Sequence, residues 1–191
     1  MSVSVFGPSQ AGKSFLVSVL ARPAEGRLAA DFNGPGGKLD YIREILLVAM
    51  RHGIQVFIDP HEDVWSRFCG GDGAPGWTLE AVGMDLTRIQ ETGAALIHNL
   101  HGDPFPRMIW PTNGHKLASA TMFALFFAGN DLAPETLVEG EPVQEYLQRH
   151  YIAAIRRLAA RIKDLPNVAG FDTLNEPMHG YLTVSDLEDC C

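Results

Sequence analysis

The stretch "NVAGFDTLNEP", residues 167–177, begins apolar and ends on polar side chains. The run reads as a strand bracketed by Pro166 and Pro177, with Asn175 and Glu176 at its C-terminal end. "IQVFIDP", residues 54–60, repeats the pattern. It is a run of β-branched and aromatic residues closed by a proline, with Asp59 and His61 at its C-terminal end. From residue 40 onward the order reads helix, strand, loop, helices, strand, which predicts parallel strands joined by helical crossovers. In α/β barrels, active sites are built at that end of the strands.

The helices that separate these strands are legible from spacing and stop signals. "LDYIREILLVAMRHG", residues 39–53, reads as a helix closed by Gly53. "PVQEYLQRHYIAAIRRLAARIKDL", residues 142–165, is the strongest helix. Its apolar residues Val143, Tyr146, Leu147, Ile152, Ile155, Leu158 and Ile162 keep mostly to three- and four-residue steps, and its last turns are basic. "KLASATMFALFFAG", residues 116–129, reads as a buried apolar helix. "TLEAVGMDLTRIQETG", residues 78–93, is expected as a helix with Thr78 as its N-cap. Residues 60–78 and 98–116 read as long loops.

Composition narrows the function classes. A chain of 191 residues with 46% apolar residues can bury one ordinary core, or a small one joined to a fragment. A net charge of −8, with no basic stripe, argues against nucleic acid as a partner. No run of 18 apolar residues predicts a spanning helix, and the N-terminus lacks the pattern of a signal peptide. Cys69, Cys190 and Cys191 make no disulfide framework. These features predict a soluble, cytoplasmic protein with free thiols.

The polar ends of the two strands suggest carboxylate chemistry. A carboxylate at the tip of an apolar strand is expected to be partly desolvated, which raises its pKa and suits Glu176 to general acid work. Asn175 can hold a sugar hydroxyl with its amide. Asp59 and His61, two residues apart on an extended segment, project to one side. Trp65, Trp77 and Trp110 offer flat faces for a sugar ring or a lipid aglycone. The plainer alternatives are that Glu176 caps a turn, His61 is a hydrogen-bonded structural histidine, and the tryptophans fill a core. This chemistry calls for no metal and no cofactor.

From about residue 46 to residue 187 the chain resembles glycoside hydrolase family 5, in its endoglycoceramidase-like and fungal glucosylceramidase or steryl-glucosidase branch. The matching stretches are "VFIDPHEDVWSRFCGGDGAPGWTLEAVG", "MIWPTN", "ATMFALFFAGN", "VQEYLQRHYIAAIRRLAARIKDLPNVAGFDTLNEP" and "GYL". The resemblance implies a partial (β/α)8 TIM barrel and a retaining mechanism with two glutamates. Glu176 matches its acid/base, Asn175 the sugar-binding neighbour, and Asp59 and His61 the polar pair after the third strand. The implied substrate is a β-glucoside with a lipid aglycone, such as glucosylceramide or a steryl glucoside. In this family the nucleophile lies on a late strand, well past the "NEP" motif. Only Asp186, Glu188 and Asp189 follow Glu176, in no strand-like run, so the expectation is that this chain lacks the nucleophile. The missing half of the barrel is left to another chain, or the product is an inactive truncated fragment.

The first 45 residues read differently. "GPSQAGKS", residues 7–14, fits G-x-x-x-x-G-K-[ST] through Gly7, Gly12, Lys13 and Ser14. A β-prone run precedes it and "KSFLVSVLA" has helical spacing, so a P-loop-like strand–loop–helix segment is expected. It would bind ATP or GTP with Mg²⁺, with Asp59 as the candidate second acid on the ion. That claim on Asp59 competes with the sugar assignment, which the continuing pattern "DPHEDVWSRF" favours. Residues 1–45 resemble a bacterial P-loop family of virulence factors. The organisation read is therefore a P-loop-like segment over residues 1–45 and an incomplete barrel over residues 46–191.

Overall fold

The computed structural model describes residues 2–5, 15–18, 37–104, 108, 110–182 and 184. In chain order the elements are β1 (Ser2–Val5), β2 (Phe15–Ser18), α1 (Lys38–Arg51), β3 (Val56–Ile58), α2 (Trp77–Ala81), α3 (His98–His101), α4 (Leu117–Leu132), β4 (Leu137–Val138), β5 (Glu141–Pro142), α5 (Val143–Ile162) and β6 (Val168–Phe171). Short 3₁₀ turns occupy Arg67–Cys69 and Trp110–His115. The chain divides into two compact units. One holds Met1–His61 with Ile152–Asn175, the other Glu62–Tyr151 with Glu176–Cys191.

In the first unit β3 and β6 pair in parallel, as the alternation predicts. Each strand follows a helix that supplies its cover. Ile42, Leu46 and Ala49 from α1, Val56 and Ile58 from β3, Leu158 and Ile162 from α5, and Leu165 form one buried cluster. A fully buried Leu or Ile contributes about 1.5–3 kcal/mol, so this cluster dominates the unit. Asn167 ties the α1–β3 turn to β6. Its amide Nδ2 donates to the carbonyls of Leu46 at 3.0 Å and Ile54 at 3.3 Å, and its main-chain carbonyl accepts from Val56 N at 2.7 Å. Gly53 ends α1 with φ +67. Its N–H donates to Met50 O and that of Ile54 to Ala49 O, a Schellman closure. At the surface, Arg43 makes two 2.6 Å bonds to Asp164, which hold that carboxyl down at about 2.

The same unit corrects one expectation. Phe15–Ser18 is a strand and pairs antiparallel with Ser2–Val5, Val5 opposite Phe15 and Ser2 opposite Ser18. A helix opening at Lys13 was expected there. Phe15 and Val17, two residues apart, are aromatic and β-branched, and pairing with another β-prone run outweighs the weak helical spacing.

The second unit is organised around Trp65, which is 2% exposed. Its ring meets Phe123 and Phe126 edge to face, and its Nε1–H donates to Thr78 Oγ1 at 3.0 Å. Thr78 Oγ1 in turn donates to Pro75 O, so Thr78 serves Trp65 and does not cap a helix. The helix expected over 78–93 stops after Ala81. Gly83, at φ +88, donates to Glu80 O and Met84 N to Leu79 O, which closes α2 as a Schellman turn. Asp85 Oδ1 then accepts from both the N–H and the hydroxyl of Thr87 and starts a new turn. α4 is buried along most of its length, as its composition predicts. The tight β4–β5 hairpin turns on Glu139 and Gly140, both at positive φ, the pattern of a type I′ turn. No helix among the described residues is long and apolar enough to cross a membrane.

Candidate functional site

Two backbone bonds extend the pairing of β3 and β6 beyond the regular strands. Asp172 N donates to Ile58 O at 2.7 Å and Asn175 N to Pro60 O at 2.8 Å, so His61 and Asn175 pair as an isolated parallel bridge. The register slips by one residue between Val56 and Phe57, which sets Phe57 opposite Gly170. A Cβ at Gly170 would lie 2.9 Å from the Phe57 ring, so glycine is what lets the ring pass. Both polar ends therefore sit at the C-terminal side of the pair, as the sequence predicts.

Three of the predicted residues meet there. His61 Nε2 lies 3.1 Å from Asp59 Oδ2, and His61 Nδ1 lies 3.2 Å from Asn175 Nδ2. Asp59 is buried at 9% exposure, and the His61 side chain keeps 15%. A carboxylate, an imidazole and an amide joined in series offer both acceptors and donors, the mixture a hydroxyl-rich ligand requires. In this arrangement His61 is at once a partnered histidine and a member of the polar cluster.

Glu176 is the next residue in the chain and opens the C-terminal segment of the second unit. It is exposed, so the desolvation expected of a strand-tip carboxylate is absent. Its backbone is left-handed, at φ +41, directly before Pro177. That conformation is costly for a residue with a side chain, and more so before proline. The segment that follows is anchored in its own unit. Met178 lies against Gly114, His179 meets His115 edge to face at 5.7 Å, and Gly180 sits against Ala120 and Ala124 of α4.

The remaining predicted positions divide. Trp65 is core, and Trp77 packs edge to face on Tyr146 and His150. The ring of Trp110 lies outside the described residues, as do Gly7, Gly12, Lys13, Ser14, Asp186, Glu188 and Asp189. Among the described residues beyond Glu176 there is no carboxylate.

Sequence reasoning passed over Glu62. Glu62 is half-buried, desolvation pushes its carboxyl up to about 8, and among the described residues its Oε2 has no hydrogen-bond partner. Gly73 lies against its Cα and Cβ, and Val64 and Trp65, two and three residues on, hold positive φ angles of +48 and +74. Consecutive left-handed residues, one of them β-branched, mark this loop as strained. No periodic signal surrounds Glu62 in the sequence, and its contact with Gly73 is made across the loop. Nearby Cys69 is fully buried, and its thiol is pushed up to about 12, which makes it inert.

Comparison with known proteins separates the two ends of the chain. Residues 1–46 match a family described as "Putative bacterial virulence factor". The larger part is 47% identical over 165 residues to a glucosylceramidase of Rhizopus delemar, covering 83% of this chain and 24% of that protein. It is 41% identical over 180 residues to an ergosteryl-beta-glucosidase of Saccharomyces cerevisiae, covering 81% of this chain and 24% of that protein. The crystal structure of Cryptococcus neoformans sterylglucosidase 1 superposes on 75% of this chain and 22% of its own, with a TM-score of 0.71 and 43% identity. Endo-glycoceramidase II from Rhodococcus sp. shares the fold at a TM-score of 0.51 and 24% identity, over 74% of this chain. The chain thus spans about a quarter of the length of these relatives. Its larger part is a partial α/β barrel homologous to the glucosylceramidase and steryl-glucosidase branch of glycoside hydrolase family 5, and a match to the virulence-factor family stands in front of it.

Proposed function

We propose that this chain carries the sugar-recognising and acid/base portion of a retaining β-glucosidase whose substrates have lipid aglycones, glucosylceramide or a steryl glucoside. The hydrogen-bonded cluster of Asp59, His61 and Asn175 at the ends of two parallel strands carries the reading. Sugar hydroxyls bind at such a cluster by donating to the carboxylate and amide oxygens and accepting from the amide N–H. Glu176 protonates the departing glycosidic oxygen and afterwards deprotonates water. Its exposure leaves the carboxyl open to a ligand. Its left-handed backbone is a strain of the kind kept where a side chain must point in one direction. A retaining reaction also needs a second carboxylate about 5 Å from the acid, and none of the residues assigned here supplies it.

The test uses the purified full chain. Calorimetry against a steryl β-glucoside in mixed micelles is expected to show binding that weakens about 10-fold or more in His61→Ala. Hydrolysis of a fluorogenic β-glucoside, where present, is expected to vanish in Glu176→Gln while binding persists. A well-folded chain that binds no glucoside would defeat the reading.

A further inference from the structure

The series Asp59, His61, Asn175 has a direction set by which atoms can donate. Asp59 Oδ2 is a carboxylate oxygen and accepts. The ring nitrogen facing it, Nε2 at 3.1 Å, must therefore carry the hydrogen. A neutral imidazole has one N–H, so Nδ1 is bare and accepts. The atom 3.2 Å from Nδ1 is Asn175 Nδ2, an amide nitrogen that donates. Every donor in the series faces an acceptor. Turning the amide over would bring its oxygen to Nδ1. A neutral ring would then need its hydrogen on Nδ1, and bare Nε2 would face the Asp59 carboxylate, lone pair against lone pair.

We propose that Asp59 is a positioning residue. Acting through His61, it locks the side-chain amide of Asn175 with Nδ2 toward the imidazole, leaving one amide hydrogen and the carbonyl oxygen to meet a ligand. An amide held this way offers one donor and one acceptor side by side. That pair matches two adjacent hydroxyls, one accepting and one donating, as on neighbouring carbons of a pyranose. This rests on the β-glucoside reading for the ligand's identity. The orientation of the amide stands or falls on its own measurement.

The backbone supports the lock. The bond from Asn175 N to Pro60 O at 2.8 Å fixes the Cα of Asn175 opposite His61, so the amide has only its own torsions to settle. Asp59 directly follows β3, and His61, two residues on, is held by its own bridge to Asn175.

The experiment is nitrogen-15 NMR on the full chain labelled at histidine and asparagine, at a pH where the ring is neutral. The expected result is a pyridine-like Nδ1 and a pyrrole-like Nε2 for His61, with one Asn175 side-chain hydrogen shifted downfield by its bond to Nδ1. Asp59→Ala is expected to lose that downfield shift. Asp59→Asn can present its own carbonyl oxygen to Nε2 and is expected to retain it. A hydrogen found on Nδ1 of the neutral ring overturns the proposal, and this reading needs no variant to fold. An Asn175 signal unmoved by Asp59→Ala overturns it as well. A methyl β-glucoside titration on the same sample separates the two ideas. A locked amide that no glucoside perturbs sinks the ligand assignment alone, and a glucoside that binds beside an unlocked amide sinks the positioning role alone.

Discussion

The main-chain N–H of Asn175 donates to the carbonyl of Pro60 at 2.8 Å, and this single bond outside the regular ladder sets Asn175 beside His61. Residues 114 positions apart become neighbours because the two parallel strands pair once more beyond their ends, after a further one-residue slip in register. Asn175→Asp exploits the geometry. It replaces the N–H that faces bare Nδ1 with a carboxylate oxygen, so two acceptors meet. We expect this variant to lose about 1 kcal/mol of stability in urea unfolding at neutral pH, with Asn175→Ala costing no more. Equal stability for Asn175→Asp and the unaltered chain would show that the amide is free to turn.

Glu176 at φ +41 is held in a conformation that glycine adopts without penalty. Glu176→Gly is expected to be neutral or to raise stability by up to about 1 kcal/mol, since relief of strain is partly offset by the added freedom of the unfolded chain. The same variant is expected to abolish any glucoside hydrolysis. Thermal unfolding and a fluorogenic assay on one preparation read both effects. A clear loss of stability would mean that the carboxylate has a structural role.

The carboxyl of Glu62 binds its proton up to about pH 8 in the folded chain, because burial penalises the charged form. In the unfolded chain it ionises near 4.5. Below that value both states carry the proton, and the contribution to stability is complete. Between the two values only the folded state holds the proton, so stability falls as pH rises, and above about 8 the loss is complete. We expect the difference between Glu62→Gln and the unaltered chain to be near zero at pH 4.5. The variant should become the more stable by a few kcal/mol as pH approaches 8. Denaturant midpoints measured across that window check the sign. A pH-independent difference would show that the carboxyl is solvated.

Gly180 packs on α4 at φ +58, where a Cβ would lie 2.6 Å from the carbonyl oxygen of Ala120 and 2.7 Å from the amide nitrogen of Ala124. Backbone atoms of a buried helix cannot yield as a flexible side chain can. Gly180→Ala is therefore expected to cost about 1–3 kcal/mol and to loosen the segment that begins at Glu176. Hydrogen exchange at Tyr181 and Leu182 should quicken in the variant. Unchanged exchange would mean that Gly180 anchors nothing.

Much of this was written locally in the chain. Gly53 announced the end of α1, the spacing of Val143 through Ile162 announced α5, and the two apolar runs ending on Asp59 and Asn175 announced parallel strands with polar tips. Each signal lies in adjacent residues or in a helical repeat, and burial along one face enforces it whatever lies further away. The helix read over 78–93 failed because Gly83 and Asp85 each start a turn of their own, and Thr78 was drawn to Trp65, a partner thirteen residues upstream. The helix read after Lys13 failed because "FLVS" found a strand to pair with.

Sequence alone therefore determined which residues would be apolar, where the long helices stop, and which polar side chains stand at strand ends, because propensity and periodicity act over a few residues. Tertiary structure decided that Asp59, His61 and Asn175 join in one series, that Glu62 is half-buried with its carboxyl desolvated, and that Glu176 is exposed. Those outcomes depend on strand register and loop packing, which bring together groups that no short stretch contains.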